Sequence, residues 1–476
     1  MAVATTTPAA RAAGESAPAP EAASAAALTW VTVGSGLLVL GIAVHLVTAI
    51  QQVSPGWGTY NAATSIGRLR PTATGLIVLG GLGMLGTGVA LELARRLSGA
   101  PVLGDLVARA AGALTTLAVA VGTLLVLAGH GTGRDGLELP RPAAVPLAIG
   151  LTVAAAVVIR QLAARRGDEL HPAGWFLASS VLAGPVCLLL GTLPRVAGIN
   201  DEIVIAFSTS GLLLLWLVGL GLAAAHYVVP RACRAPLHSE RLARLGFWGW
   251  VAFAPLAGPV RLVGGPGQEW LESIGIAAAI ALVVPALAIA TNLFATYAGR
   301  RSRAHAADLR FALAGTGLLV LWSVLHAIGA GRSASDLLRA SVFTEGLREL
   351  ALFGAAGCLL AAAVLNLLPD LAGSPLANPR VAASLVWLAS AGVLLVALAL
   401  LVAGYAQGAI ATAAVRSGGD AYLGQGWDAV ADAIRPLLWL RVVGELLVLT
   451  AFAGVFQQVF STMTSGESLD DAPAAG

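Results

Sequence analysis

The residues of this chain best suited to bind a metal or a haem iron are its seven histidines, because a neutral imidazole nitrogen is a strong ligand for both. No two of them have the close spacing on one helix that a shared metal site requires, so we predict no new metal or haem site. Three fall in or beside predicted loops, where we expect titrating surface groups, and four lie within or beside long apolar stretches. The first set is His171, His238 and His305, and the second is His45, His130, His226 and His326.

Four further ionisable residues fall inside or at the ends of apolar stretches. They are Arg261, Arg348, Glu349 and Glu445. An intramembrane ionisable residue is by default a candidate functional residue, and an unpaired buried charge is costly, so we expect pairing or neutralisation. Glu445 stands four residues after Arg441, a spacing that predicts a local ion pair on one helix. Arg348 and Glu349 have the alternative of reaching water at a helix end.

Composition shows what kind of elements must hold these residues. The chain is 57% hydrophobic, has a mean hydropathy of +0.83 and is only 11% charged, far below the charge of a soluble protein. Its repeated apolar stretches are long enough to cross a bilayer as helices. We predict an all-α, polytopic membrane helix bundle of about twelve transmembrane helices surrounded by lipid. The expected spans are 28–51, 73–96, 105–129, 143–164, 174–194, 203–229, 246–264, 271–297, 309–331, 347–369, 382–412 and 436–462.

Arginines set the expected topology. The net charge of +3 is the excess of arginines over Asp and Glu carboxylates. In a membrane protein such an excess indicates the orientation of the helices and gives no reason to expect a nucleic-acid partner. Arginines cluster after the even-numbered spans, so both termini are predicted to be cytoplasmic. We expect a disordered tail over 1–26, a membrane domain over 27–463 and a disordered acidic tail over 464–476. The clusters are Arg95 and Arg96, Arg165 and Arg166, the four arginines of 231–244, Arg300, Arg301 and Arg303, and Arg380.

An ordered set of landmarks resembles subunit I of the haem-copper oxidases, in particular the cbb3-type cytochrome c oxidases. GRLRP at 67–71 precedes the second span, RDGLEL at 134–139 follows the third, and Ala403, Gly404, Gln407 and Gly408 form an AGxxQG motif in the eleventh. Each motif alone is weak, and their order is the specific signal. The central landmarks are Tyr227, Pro230, Pro236, Ser239, Arg241, Leu242, Phe247, Trp248, Ala257, Gly258, Pro259, Trp270, Gly275, Pro285 and Asn292.

The resemblance also implies which positions correspond to the six histidines that hold haem and copper in that family. None of the six is a histidine here. Apolar side chains cannot replace an imidazole ligand, so we predict no haem and no copper, although the family would supply both. The haem-ligand positions are Ala73, Leu347 and Glu349, and the copper-ligand positions are Ser210, Val260 and Arg261.

Three functions remain open. The first is a degenerate paralogue without redox centres that acts as a structural or partner subunit, beside a membrane-bound cytochrome c or another oxidase-like subunit. The second is an active terminal oxidase or nitric oxide reductase subunit with unconventional ligands. The third is a small-molecule transporter that reuses the cofactor cavity, because fold alone does not fix function.

A family member without haems must close, refill or hydrate the volume that they take up, since residual cavity costs roughly 24 cal/mol per Å³. We expect a residual central cavity lined by Leu347 and Val260 and reached by Arg261. We also expect that Arg261 could pair with Glu349 across it. A polar cavity with Arg261 and Glu349 facing inward would favour the transporter, whereas a fully packed apolar centre would remove its basis.

Overall fold

The computed structural model describes residues 24–167, 169–193, 196–298, 306–416 and 420–465. Most of both predicted tails, together with His305, Arg300, Arg301 and Arg303, lies outside the described residues. Within the described ranges every regular element is helical, which agrees with the all-α prediction. The first helix begins at Ala25, capped by the Ser24 hydroxyl, and the last ends at Thr464.

In the part of the chain that the structure describes, twelve segments cross the bundle, as the apolar stretches predict. Eleven of the described helices are long and apolar enough to span a membrane. We number the crossing helices α1 to α12 in chain order. They are α1 Ala25–Val53, α2 Ile66–Ser98, α3 Asp105–Leu127, α4 Arg141–Ala163, α5 Pro172–Thr192, α6 Ile199–Cys233, α7 Glu240–Phe253, α8 Glu269–Ala298, α9 Ala307–Ala330, α10 Phe343–Ala372, α11 Pro379–Arg416 and α12 Asp420–Thr464.

The seventh crossing differs from the expected single helix. Its α-helix ends at Phe253, and the crossing continues as the 3₁₀ segment Pro255–Leu262. Pro255 and Pro259 cannot donate the backbone hydrogen bonds of an α-helix and clash with the preceding turn, so the chain takes the tighter form. Gly258 lies so close to α6 that a Cβ atom there would overlap the Ala206 carbonyl. This segment therefore carries Val260 and Arg261 on an irregular backbone.

Among the described residues, three inner helices contain a π-helical segment. Two of them, α2 and α10, are almost entirely buried. The segments are Leu76–Leu82 in α2, Gly211–Val218 in α6 and Leu350–Gly357 in α10. Each begins within three residues after a position that the resemblance assigns to a metal ligand: Ala73, Ser210 or Glu349. Because π-bulges inside α-helices are frequently found at functional sites, these three helices are the ones that shape a site.

The alternating crossings give the bundle two ends. The end that carries the 54–65, 128–140 and 331–342 loops is here called the mouth face, and the opposite end, where α1 begins and α12 ends, is the termini face. The α11 glycines of the AGxxQG motif let the 331–343 segment pack closely on the mouth face. A Cβ atom on Gly408 would overlap the Leu337 carbonyl, and Gln407 accepts a hydrogen bond from the Val342 amide at 3.1 Å.

Candidate functional site

A cavity of about 480 Å³ lies at the centre of the bundle, next to the π-helical segments. Its wall brings together five of the six positions that the resemblance marks as metal ligands, although they come from three different crossings. Ala73 is fully buried in α2, and its neighbour Thr74 lies on the cavity wall. The five are Ser210, Val260, Arg261, Leu347 and Glu349.

The inner part of the cavity is apolar. Its floor includes Ile77, Leu213 and Leu352. Towards the termini face, the space between the described helices is filled by fully buried side chains such as Trp216 and Leu360. The cavity therefore opens towards the mouth face and is closed below by packed core.

Arginines surround the mouth of the cavity. Arg261 lies 3.6 Å from Asp135 and 3.7 Å from Glu202, so its ion pairs are long, and its side chain is 35% exposed. Arg339 donates to the Val263 carbonyl at 2.8 Å, and no carboxylate of the described chain lies within ion-pair distance of it. The expected pair between Arg261 and Glu349 does not form, because Arg261 is instead within ion-pair distance of Asp135 in the 128–140 loop and of Glu202 in the first turn of α6.

A buried group of charges adjoins the cavity, and we call it the Arg441 cluster: His45, Glu345, Glu349, Arg441 and Glu445. The Arg441 guanidinium lies 2.6 Å from Glu445 and 3.0 Å from Glu345, and its side chain is 2% exposed. It also donates to Gln52. The predicted local pair of Arg441 with Glu445 is confirmed.

His45 completes the Arg441 cluster. Its Nε2 atom lies 3.5 Å from Glu349 and its Nδ1 atom 3.2 Å from Glu445. Both ring nitrogens therefore face carboxylates. The Oε2 atoms of Glu349 and Glu445 are both buried without a hydrogen-bond partner among the described residues. Glu445 accepts a hydrogen bond from Arg441 at 2.6 Å through its other oxygen, so Glu349 is the least satisfied acid of the group.

Arg348 and Glu349 are adjacent in sequence but lie in different environments. Arg348 points towards the mouth, where it is 27% exposed and lies 3.6 Å from Asp135. Glu349 is 2% exposed. The alternative that these side chains reach water at the helix end therefore holds for Arg348 only. Glu349 is an internal residue.

Ligand atoms of His45, Glu345 and Glu349 lie within 4.8 Å of one another, which is close enough to hold a metal ion. Arg441, however, places Nη2 at 3.0 Å from Glu345 and 3.4 Å from His45. The guanidinium thus already supplies the positive charge at this point. The group is better described as an ion-pair network than as a metal centre.

The other intramembrane histidines have separate environments. His326 lies on the cavity wall and stacks on Trp322 at 4.9 Å between ring centroids, and its buried Nε2 has no partner in the described structure. His226 stacks on Phe176 and bonds the Leu222 carbonyl through Nδ1. His226 is therefore a core residue, whereas His326 belongs to the cavity.

Sequence reasoning missed two members of the site. Glu345 lies just before the predicted tenth span of 347–369, yet in the structure it is paired with Arg441 at 3.0 Å and with Arg70 at 3.2 Å. Arg70 was noted only as part of the GRLRP landmark. The available signal was the spacing of Glu345, three residues before Arg348 and four before Glu349. Residues at these spacings are neighbours on a helix surface.

Glu138 lies in the loop at the mouth face and is partly buried. Burial raises the pKa of Glu138 to about 7, and the nearby Asp135 carboxylate adds to the effect. A hydrogen bond from the Gly136 amide at 3.0 Å and the Arg348 charge act in the opposite direction. This loop therefore carries a carboxyl group that titrates near neutral pH.

The family model for cytochrome c and quinol oxidase polypeptide I matches residues 25–447. The chain belongs to this family. It is 22% identical over 449 residues to the cbb3-type cytochrome c oxidase subunit CcoN1 of Stutzerimonas stutzeri, covering 91% of this chain and 92% of that protein. A cytochrome c oxidase subunit 1 homolog of Azorhizobium caulinodans is also 22% identical, over 92% of this chain and 81% of its own length.

The fold agrees with this assignment. A heme-copper terminal oxidase dimer solved by cryo-EM superposes with a TM-score of 0.71 at 15% identity, covering 95% of this chain and 84% of that one. The protein is thus a multi-pass membrane protein with the architecture of subunit I.

Proposed function

We propose that this chain is a subunit I homologue that does not assemble the haem and copper centres and serves as a non-catalytic membrane subunit. The observation that supports this is the donor set of the cavity. Five of the six corresponding positions lie on its wall, and they supply a hydroxyl, two aliphatic groups, a guanidinium and a carboxylate. None is an imidazole, and the sixth position is Ala73.

The two histidines on the cavity wall do not replace the missing set. The nitrogens of His45 lie 3.5 and 3.2 Å from Glu349 and Glu445, so iron would have to displace ion-pair partners. His326 offers one nitrogen, whereas the haem and copper centres of the family take six histidines. The residues present do not fit the family's cofactors.

The arginine pattern supports an orientation for this subunit. Clusters such as Arg95 with Arg96 and Arg165 with Arg166 follow even-numbered helices, on the termini face. Positive charge is retained on the cytoplasmic side of a membrane. We place both termini in the cytoplasm and the cavity mouth on the opposite side of the inner membrane, where a membrane-bound cytochrome c or another oxidase-like subunit would be the partner.

The test is a pyridine haemochrome assay and metal analysis on the full chain purified from cells supplied with haem and copper. We expect less than a tenth of a haem per chain, no Soret band and no stoichiometric copper. Stoichiometric haem would overturn the proposal and would favour an active oxidase with unconventional ligands. Affinity purification from native membranes in mild detergent tests the partner, and an isolated monomer would contradict the subunit role.

A second candidate function is binding or transport of a small molecule. It is favoured by the cavity itself, which is open at the mouth face, carries Arg261 and Glu349 on its wall and is not packed by apolar side chains. The packed core beneath the floor means that transport would need a second conformation. Uptake by proteoliposomes separates transport from one-sided binding.

A further inference from the structure

We infer that the central cavity binds a small amphiphilic organic acid, a carboxylate with an apolar body and a hydroxyl group close to the carboxylate, which enters from the mouth face. This inference rests on the proposed function, because haem in the cavity would exclude such a ligand. Three features of the wall carry it: arginines at the mouth, unpartnered polar atoms below them, and an apolar floor.

Two guanidinium groups at the mouth, those of Arg261 and Arg339, have no close ion pair with a carboxylate of the described chain. Arg261 has carboxylates only at 3.6 and 3.7 Å, beyond hydrogen-bond distance. Arg339 donates to one backbone carbonyl and has no carboxylate within 4.0 Å in the described ranges. Guanidinium groups favour carboxylates because they donate two parallel hydrogen bonds to them. The mouth is therefore suited to the acidic group of a ligand.

The overall charge of the wall also favours a negatively charged ligand. Four arginines and three carboxylates line the cavity when the histidines are neutral. Glu345 is already held by Arg441 at 3.0 Å and Arg70 at 3.2 Å. The surplus positive charge is thus at the mouth, which disfavours entry of a cation. The charged residues are Arg70, Arg261, Arg339, Arg348, Asp135, Glu345 and Glu349.

Below the mouth, Oε2 of Glu349, a residue 2% exposed, and the buried Nε2 of His326 lack hydrogen-bond partners among the described residues. The Nδ1 atom of His45, also on the wall, has only its 3.2 Å ion-pair contact with Glu445. His326 lies four residues from the mouth end of α9, and Glu349 lies six residues into α10, so both are about 6–9 Å along their helices. Buried polar atoms are normally hydrogen-bonded. A ligand hydroxyl at this depth would donate to Glu349 and bond His326.

The floor accepts only an apolar group. Ile77, Leu213 and Leu352 line it, and Leu213 lies fourteen residues into α6, about 21 Å along the helix. Because the floor lies this deep, a phosphate or chloride ion bound at the mouth would leave most of the cavity unfilled. A hydrocarbon body extending from the acidic group covers the floor and removes its apolar surface from water.

The experiment measures binding of radiolabelled 3-hydroxydecanoate to the full chain in lipid nanodiscs by equilibrium dialysis. Protein-free nanodiscs serve to subtract partition of the acid into lipid. We expect saturable binding of one molecule per chain. Decanoate, which lacks the hydroxyl, should bind about fivefold more weakly, and 1,3-decanediol, which lacks the carboxylate, about a hundredfold more weakly. Equal binding of the diol and the hydroxy acid would overturn the anionic class.

Variants locate the ligand. Arg261→Gln and Arg339→Gln should each weaken binding about tenfold, and Leu213→Trp should abolish it by filling the floor. Arg244→Gln is the matched control, because Arg244 is an exposed arginine near the termini face paired with Glu240 at 2.7 Å. It should bind as the unaltered chain does. Unchanged binding by both arginine variants, or by Leu213→Trp, refutes the site.

Haem content separates this inference from the proposed function. A preparation that holds stoichiometric haem overturns both. A haem-free preparation that shows no saturable binding above protein-free nanodiscs overturns the ligand inference alone and leaves the cofactor-free subunit standing.

Discussion

The Arg441–Glu445 pair tests whether the buried charge cluster is a stability element of the bundle. Its two side chains are 2% and 4% exposed and lie 2.6 Å apart. Replacing Arg441 with Met leaves Glu445 with only His45, at 3.2 Å, while Glu345 keeps Arg70 at 3.2 Å. Removing one partner of a buried pair costs about 3–5 kcal/mol, and we expect Arg441→Met to lower the free energy of unfolding by that amount.

The coupling between the two residues gives the sharper number. Charges about 4 Å apart interact by about 4 kcal/mol at an effective dielectric constant of 20, and the other partners of the two residues, Glu345 for Arg441 and His45 for Glu445, reduce the coupling that a cycle recovers. We therefore expect a coupling of about 2 kcal/mol in a cycle of Arg441→Met, Glu445→Leu and the double variant. The double variant should be more stable than the sum of the single effects predicts, because it leaves no buried charge of this pair unpaired.

The chain contains a matched control for this cycle. Arg244 and Glu240 have the same i, i+4 spacing and lie 2.7 Å apart, but their side chains are 60% and 55% exposed. An exposed pair of this kind is worth about 0.3–0.5 kcal/mol. The assay is reversible unfolding by SDS in mixed micelles, followed by tryptophan fluorescence. Equal coupling in the two pairs would refute the argument, since burial is the main difference between them.

Two further predictions concern the mouth face. Gly408→Ala should destabilise the protein by about 1–3 kcal/mol, because its Cβ would overlap the Leu337 carbonyl, whereas Gly317→Ala, with its nearest neighbour at 4.0 Å, should be tolerated; equal effects in the same SDS assay would contradict this. Burial raises the pKa of Glu138 from 4.5 to about 7, so the folded loop holds the proton more tightly and loses stability as the pH rises from 4.5 through 7. Hydrogen exchange over 130–139 should lose protection across that window beyond the intrinsic pH effect, and Glu138→Gln should remove the change.

The sequence alone determined the features that depend on local pattern. Apolar length and low charge predicted a membrane bundle with about twelve crossings, and the structure confirms it. The i, i+4 spacing of Arg441 and Glu445 predicted their pair. Side-chain identity at Ala73 and Leu347 is also read directly from sequence. These inferences succeed because helix geometry fixes which residues are neighbours within one turn or one span.

The tertiary structure alone decided how the intramembrane charges combine. His45 and Arg441 are 396 residues apart in sequence and 3.4 Å apart in space. Arg261, expected to approach Glu349, instead lies 3.6 Å from Asp135 on a loop. No periodicity specifies such contacts, because they depend on how α1, α10 and α12 pack and on where the irregular seventh crossing ends. Helix packing across hundreds of residues therefore determines the chemistry of the cavity.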